Sequence, residues 1–155
     1  MITIIPKHFF LVTGASEGQT SLNAFDGALL DAGIGNNNLI KISSIIPPGA
    51  ELIDPVTIPP GTFLPVAYGT HYSSVPGKLI AAAVAAAVPI DPTLPGVIME
   101  YSTRGSREEV ESIARTMAQE AMARRGISEM EIHIASKDIK VQSLAAIVAA
   151  VVLWN

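Results

Sequence analysis

Short, densely apolar runs alternate along this chain with polar or proline-rich breaks, and two stretches of helical period lie between them. His8–Thr13 reads as a strand and Gly14–Thr20 as a polar loop. Ser21 then supplies an N-cap for a helix with Leu22, Phe25 and Leu29 on one face and Gly33 near its end. Leu39–Ile46 is the next strand. Phe63–Tyr68 and Leu79–Val88 follow as strands, although the alanine content of the second also suits a helix. Asp91–Gly96 is a loop and Val97–Ser102 a strand. Ser106 and Glu109 form a capping box, which predicts a helix with Val110, Ile113, Met117 and Ala121 on one face, closed by Arg124-Arg125-Gly126. Glu131–Ala135, a turn and Leu144–Trp154 complete a second sheet. The order β-α-β-β, repeated, predicts an α/β (α+β) fold of two similar halves, with their sheets stacked and their helices outside. Ile-Pro-Pro-Gly occurs at Ile46–Gly49 and again at Ile58–Gly61, which is turn chemistry and not a repeat architecture.

Composition narrows the setting. A chain of 155 residues is one domain, residues 1–155. Only 15% of it is charged, below the roughly 25% of an average domain. So little charge predicts a sizeable subunit interface. The net charge is −4 with no basic cluster, which argues against nucleic acid as a partner and suits a cationic small molecule. There are no cysteines, so disulfides and thiolate sites are excluded. Met1–Lys7 lacks a signal-peptide layout, and the apolar runs Leu79–Val88 and Leu144–Trp154 fall short of the roughly 20 residues of a spanning helix. No membrane association is expected, and the cytoplasm is the expected location.

Several motifs carry no chemistry. Val12–Gly18 looks like the start of a dinucleotide-binding loop, but its third glycine position is Thr20 and no Tyr-x-x-x-Lys pair exists. His8, His71 and His133 lack ligand spacing, so no metal is expected. No Gly-x-Ser-x-Gly elbow is present.

The pair Ser43-Ser44 is different. It stands at the end of an apolar run, just ahead of Pro47-Pro48. A serine hydroxyl can attack the carbonyl before it. Attack by Ser44 Oγ on the Ser43 carbonyl gives an ester, and β-elimination of that ester breaks the chain. The dehydroalanine left behind hydrolyses to a pyruvoyl group. The alternative is a strand end whose serines satisfy turn amides. Glu100, inside Val97-Ile98-Met99-Glu100-Tyr101, is either a desolvated acid or a strand-end carboxylate facing water. Asp26, one residue after Phe25, is either a solvated helix carboxylate or a partner for a ligand guanidinium. Asn38, six residues before Ser44, is either a loop residue or a donor to the oxyanion formed at the Ser43 carbonyl.

Together these residues resemble the pyruvoyl-dependent arginine decarboxylase family over nearly the whole chain. The likeness runs through Phe9–Gly14, Gly35–Gly49 with Ser43-Ser44, Pro65–Gly69, Gly96–Tyr101 and the apolar C-terminal strand. It implies a four-layer αββα sandwich and a homotrimer, possibly paired into a dimer of trimers, with substrate between subunits. It implies self-cleavage between Ser43 and Ser44 into chains 1–43 and 44–155, with pyruvate as the covalent cofactor made from Ser44. By resemblance Glu100 is the proton donor, Asp26 recognises the guanidinium, Ser43 is the new C-terminus at the substrate, and Asn38 stands beside the cleavage site. The implied reaction is decarboxylation of arginine to agmatine and CO₂. Two other readings stay open: decarboxylation of histidine, lysine or another amino acid, and an uncleaved, non-catalytic trimer that binds a cationic metabolite.

Overall fold

The computed structural model describes residues 4–155; Met1, Ile2 and Thr3, part of the run read for a signal layout, lie outside the described residues. The elements are β1 (His8–Glu17), α1 (Ser21–Asp31), β2 (Asn38–Lys41), β3 (Ile45–Ile46), β4 (Glu51–Leu52), β5 (Phe63–Ser73), β6 (Leu79–Pro89), β7 (Gly96–Arg104), α2 (Arg107–Arg124), β8 (Met130–Lys140) and β9 (Ala145–Trp154). They form a five-stranded sheet in the order β2-β5-β9-β1-β4 and a four-stranded sheet in the order β3-β7-β6-β8.

Three apolar layers show how these parts stack. Along β9, Ala145, Ile147, Ala149 and Val151 meet Ala82, Val84, Ala86 and Ile98 of the other sheet. The alternate residues Ala146, Val148, Ala150 and Val152 meet Ala24, Ala28 and Leu29 of α1. Along β6, Ala81, Ala83, Ala85 and Ala87 meet Val110, Ala114, Ala118 and Met122 of α2. The result is a helix-sheet-sheet-helix sandwich, the α/β architecture expected.

The two halves do not each build their own sheet. β9, the last strand of the chain, sits between β5 and β1 in the first sheet, and β6, which directly follows β5 in the chain, sits between β7 and β8 in the second. Both strands are apolar on two faces, so each needs a helix on one side and a sheet on the other. Only a central position supplies both. The same burial settles the helix-or-strand ambiguity of the alanine run in favour of strand.

Other differences follow from pairing and capping. β1 runs on to Glu17 because Gly14–Glu17 pair with Ala145–Val148 of β9, where a loop was expected. Glu17 then accepts the backbone N–H of Ser143 (3.2 Å) and Leu144 (3.0 Å), clamping the turn into β9. The N-cap of α1 is Thr20, not Ser21; its hydroxyl accepts the Asn23 N–H at 3.1 Å. Both helices end in a Schellman motif with glycine at positive φ, Gly33 and Gly126. Each Ile-Pro-Pro-Gly makes a type II turn, with Gly49 at φ 77° and Gly61 at φ 82°.

The helices bury part of the face expected, Leu29 on α1 and Val110 and Ala121 on α2, but are rotated from it. Phe25, Ile113 and Met117 are half-buried and Leu22 is exposed, while Ala24, Ala28, Ala114 and Ala118 take the positions against the sheets. Small side chains let the backbones approach closely, and Gly14 marks the tightest point. A Cβ there would collide with the Ala28 carbonyl oxygen and lie 2.7 Å from the Ala32 nitrogen. Gly14→Ala should therefore destabilise the fold by about 1–3 kcal/mol, as overpacking does, read as a lower denaturation midpoint at unchanged slope.

Candidate active site

The expected strand Leu39–Ile46 is two strands in two different sheets. β2 pairs with β5 in the first sheet, Lys41 opposite Val66. β3 pairs with β7 in the second, Ile45 opposite Val97. Ile42, Ser43 and Ser44 carry the chain across between them. The Ile42 N–H donates to the Val66 carbonyl of the first sheet at 3.1 Å, and the Ser44 carbonyl accepts the Ile98 N–H of the second at 2.8 Å. The Ser43–Ser44 bond thus lies between two backbone anchors, one on each sheet. Ser43 is exposed and Ser44 half-buried.

Glu100 stands two residues along β7 from Ile98, about 7 Å of strand. It shares the face of β7 that bears Ile98, so it points into the space between the sheets. Gly69 of β5 makes room for it: a Cβ at Gly69 would lie 3.1 Å from Glu100 Cβ. Glu100 Oε2 is buried with no hydrogen-bond partner among the described residues. Burial pushes this carboxyl above the ordinary carboxylate range, and the Lys41 ammonium opposes the shift with lesser effect. A carboxyl in this state holds its proton to higher pH than an exposed one, which suits it to deliver that proton. Nearby, the Ser102 hydroxyl donates to the Thr70 carbonyl at 2.9 Å and ties the two sheets together beyond Glu100.

The structure places the other two expected residues elsewhere in the chain. Asn38 opens β2, five residues ahead of Ser43. Its Nδ2 donates to the Gly61 carbonyl at 3.0 Å, while Asn37 Nδ2 donates to the Pro59 carbonyl at 2.9 Å. The polar Asn36–Asn38 run thus clamps the second Ile-Pro-Pro-Gly turn. Asp26 is exposed on α1 and forms no ion pair among the described residues. It follows Phe25, which with Ser21, Leu22, Tyr68, Thr70, Tyr72 and Ala146 lines an apolar pocket of about 280 Å³ between α1 and β5. No hydrogen bond among the described residues joins Asp26 or Asn38 to either serine within one chain. No group of metal-ligating side chains gathers among the described residues.

Three contributors escaped the sequence reading. Gly69 had a usable signal, since glycine inside a strand marks a close approach. Lys41, whose Nζ lies 4.7 Å from the centroid of the Tyr68 ring, had one too: a lone cation in an apolar run. Tyr68 had none.

The family model for pyruvoyl-dependent arginine decarboxylase matches residues 8–155. The chain belongs to the pyruvoyl-dependent arginine decarboxylase family. A relative so named from Methanocaldococcus jannaschii is 47% identical over 150 residues, covering 97% of this chain and 91% of the relative. One from Methanococcus vannielii is 43% identical over 149 residues, covering 96% and 91%. One from Pyrococcus horikoshii is 41% identical over 157 residues, covering 99% of each. The family's covalent pyruvoyl group fits the residues present: a serine at the crossover can supply it, and an unpartnered carboxyl oxygen lies close by on β7.

The raised Glu100 carboxyl has a thermodynamic signature. An acid whose folded value exceeds its unfolded value favours folding most when protonated, and that stability is lost as pH rises from the unfolded value through the folded one. In a Ser44→Ala background, Glu100→Gln should melt at a higher temperature than its parent at alkaline pH. The two should converge below about pH 4, where the carboxyl is protonated in both states. Melting curves across this range check the sign.

Proposed function

We propose that this chain is a pyruvoyl-dependent arginine decarboxylase that makes its prosthetic group from its own Ser44. The observation that carries the reading is the sheet-to-sheet crossover at Ser43-Ser44, two residues of β7 away from an unpartnered, buried carboxyl oxygen on Glu100. The Ser44 hydroxyl attacks the Ser43 carbonyl, and the peptide bond to the Ser44 nitrogen gives way to an ester. Elimination expels the Ser43 carboxylate and leaves dehydroalanine at residue 44. Water converts this to the ketone with release of ammonia. The chain becomes fragments 1–43 and 44–155. Each new end stays hydrogen-bonded to a different sheet, so cleavage leaves the fold in place.

Once formed, the pyruvoyl carbonyl supplies the electron sink for loss of CO₂ from a bound amino acid. Glu100, whose burial favours the protonated form, gives its proton to the carbon that lost CO₂, and agmatine is released. Asp26 accepts two parallel charge-assisted hydrogen bonds from the substrate guanidinium. Exposed Leu22 lies on α1, which carries Asp26, exposed Ile40 on β2, which carries Asn38, and exposed Phe63 and Tyr72 on β5, which pairs with β2. This apolar edge is the face that meets the next subunit of a homotrimer, or of a dimer of trimers. Across it Asn38, whose amide keeps a second hydrogen, serves the oxyanion at a neighbouring Ser43 carbonyl. Ser43 then lines the substrate site as a C-terminus. A cytoplasmic location belongs to the same reading.

Intact mass under denaturing conditions tests the cleavage. Wild type should give two chains split between residues 43 and 44, the larger one reactive toward a carbonyl reagent, and Ser44→Ala should give one chain. A single wild-type species without ketone reactivity would overturn the enzyme reading.

Substrate choice tests Asp26. Losing one partner of a desolvated charge pair costs about 2–5 kcal/mol. Asp26→Asn should therefore lower kcat/KM for arginine by about thirtyfold or more, mostly through KM, with cleavage complete. Wild type should prefer arginine to lysine, because an ammonium offers no planar fork. Equal rates on both amino acids would move guanidinium recognition to another residue.

A further inference from the structure

The facing surfaces of the two sheets are built mainly from alanine, valine and isoleucine, and contact between such surfaces is non-directional. It presses the sheets together without fixing where one lies along the other. Among the described residues, one side-chain hydrogen bond joins a strand of the first sheet to a strand of the second: the Ser102 hydroxyl of β7 donates to the Thr70 carbonyl of β5 at 2.9 Å. Ser102 is half-buried and shares with Ile98 and Glu100 the face of β7 that lies against the first sheet. Thr70 directly follows Gly69, whose missing side chain admits Glu100.

Both ends of this bond are prepared for it. The Asn38 N–H takes the Thr62 carbonyl and the Ile42 N–H takes the Val66 carbonyl, so alternate carbonyls of β5 point toward β2. The Thr70 carbonyl continues that series, but β2 pairs with β5 only as far as Val66, and the chain then crosses to the other sheet. Ser102 takes the edge position that the crossing chain leaves open. Thr70 is itself held, since its own hydroxyl donates to the Ile147 carbonyl of β9 at 2.9 Å.

We infer that Ser102 is a positioning residue for the proton donor: its hydrogen bond to the Thr70 carbonyl keys β7 to β5 in the alignment that sets the Gly69 gap against Glu100. The inference rests on Glu100 as the acid of the reaction. The fit tolerates little slip. A Cβ at Gly69 would lie 3.1 Å from Glu100 Cβ, and Ala67, two residues earlier on the same face, carries a Cβ. A slip of β5 along β7 therefore replaces the gap with a side chain and turns the carboxyl toward the open edge of the layer. Burial, the larger cause of the raised proton affinity of Glu100, depends on this alignment.

The charges around Glu100 are separate from this contact. Among the elements packed on β7, β3, β6 and β9 bring apolar side chains, and α2 lies on the opposite face. β5 contributes His71, and Arg104 ends β7. Lys41 sits over the Tyr68 ring on the α1 face of the first sheet and opposes burial with the lesser effect. Beyond β6, β8 carries Glu131, His133 and Lys137 on its inward side. In the cleaved enzyme the Ser43 carboxylate adds a negative charge. A change at Ser102 alters none of these groups.

The test is the pH dependence of kcat in fully cleaved Ser102→Val and Ser102→Thr, side chains of the same shape that differ in the hydroxyl. Ser102→Val should move the alkaline limb down by about half to one pH unit, because a looser layer admits water and a hydrated carboxyl loses its proton earlier. Ser102→Thr should keep the wild-type limb. Carbon-13 NMR titration of the Glu100 carboxyl in a Ser44→Ala background should show the same downward move without relying on turnover, with Ser102→Ala replacing Ser102→Val if the latter misfolds. A limb and a titration unmoved by loss of the hydroxyl, with Glu100→Gln inactive, would overturn the inference and leave Glu100 as the acid. Equal shifts in Ser102→Val and Ser102→Thr would overturn it as well. Turnover of Glu100→Gln within a few-fold of wild type would overturn the underlying assignment instead.

Discussion

Everything in this molecule depends on how closely two sheets can be pressed together. Their central strands, β9 and β6, consist almost entirely of alanine, valine and isoleucine, and both are buried on two faces. Such residues leave little room for water between the layers. A carboxyl that enters this space from β7 loses its hydration and binds its proton more tightly. Glu100 can enter because one opposing position, Gly69, has no side chain. The packing that stabilises the sandwich thus also sets the proton affinity of Glu100, whose Oε2 is buried without a hydrogen-bond partner among the described residues.

The same stacking gives the serine pair its setting. A segment that leaves one sheet and joins the other must cross the gap with little slack. Here it does so between Ile42, held by Val66, and Ser44, held by Ile98. A bond so placed can be broken with both ends retained, because each end belongs to a ladder that does not need the other. It also brings residue 44 to the margin of the layer that holds Glu100. In the proposed mechanism, formation of the ketone and delivery of the proton would draw on a single structural feature.

On the outer face of the first sheet, α1 lies close over β1 and β9 because Gly14, Ala24 and Ala28 carry little bulk. This leaves Leu22 and Phe25 to wall a pocket with Tyr68 and Tyr72 at the β5 side. Asp26 is displayed on the same helix, and Tyr68 holds Lys41. Helix, pocket and edge strand lie on the same side of the first sheet, and in the proposed trimer a second subunit placed there would bring its serine pair toward Asp26.

Much of this was legible in the chain. Strand and helix runs, the paired turns, the capping serine of α2, the closing glycines and the Ser43-Ser44 dipeptide all depend on local sequence, because a few residues determine a cap, a turn or an alternation. The α/β class followed from their order. Sheet membership did not: β9 and β6 were placed by the need to cover two apolar faces at once, a requirement no local window contains. Nor did the choice of inward helix face, since hydrophobicity favours Leu22 and Met117 while close approach favours Ala28 and Ala118. Glu100 could be named from sequence as a carboxylate among apolar neighbours, but both of its readings were open until Gly69 came to face it. Lys41 came to lie over the Tyr68 ring only when β2 was laid beside β5. Local chemistry is written residue by residue, whereas desolvation and charge proximity are properties of what the fold brings near, and those were decided by the tertiary structure alone.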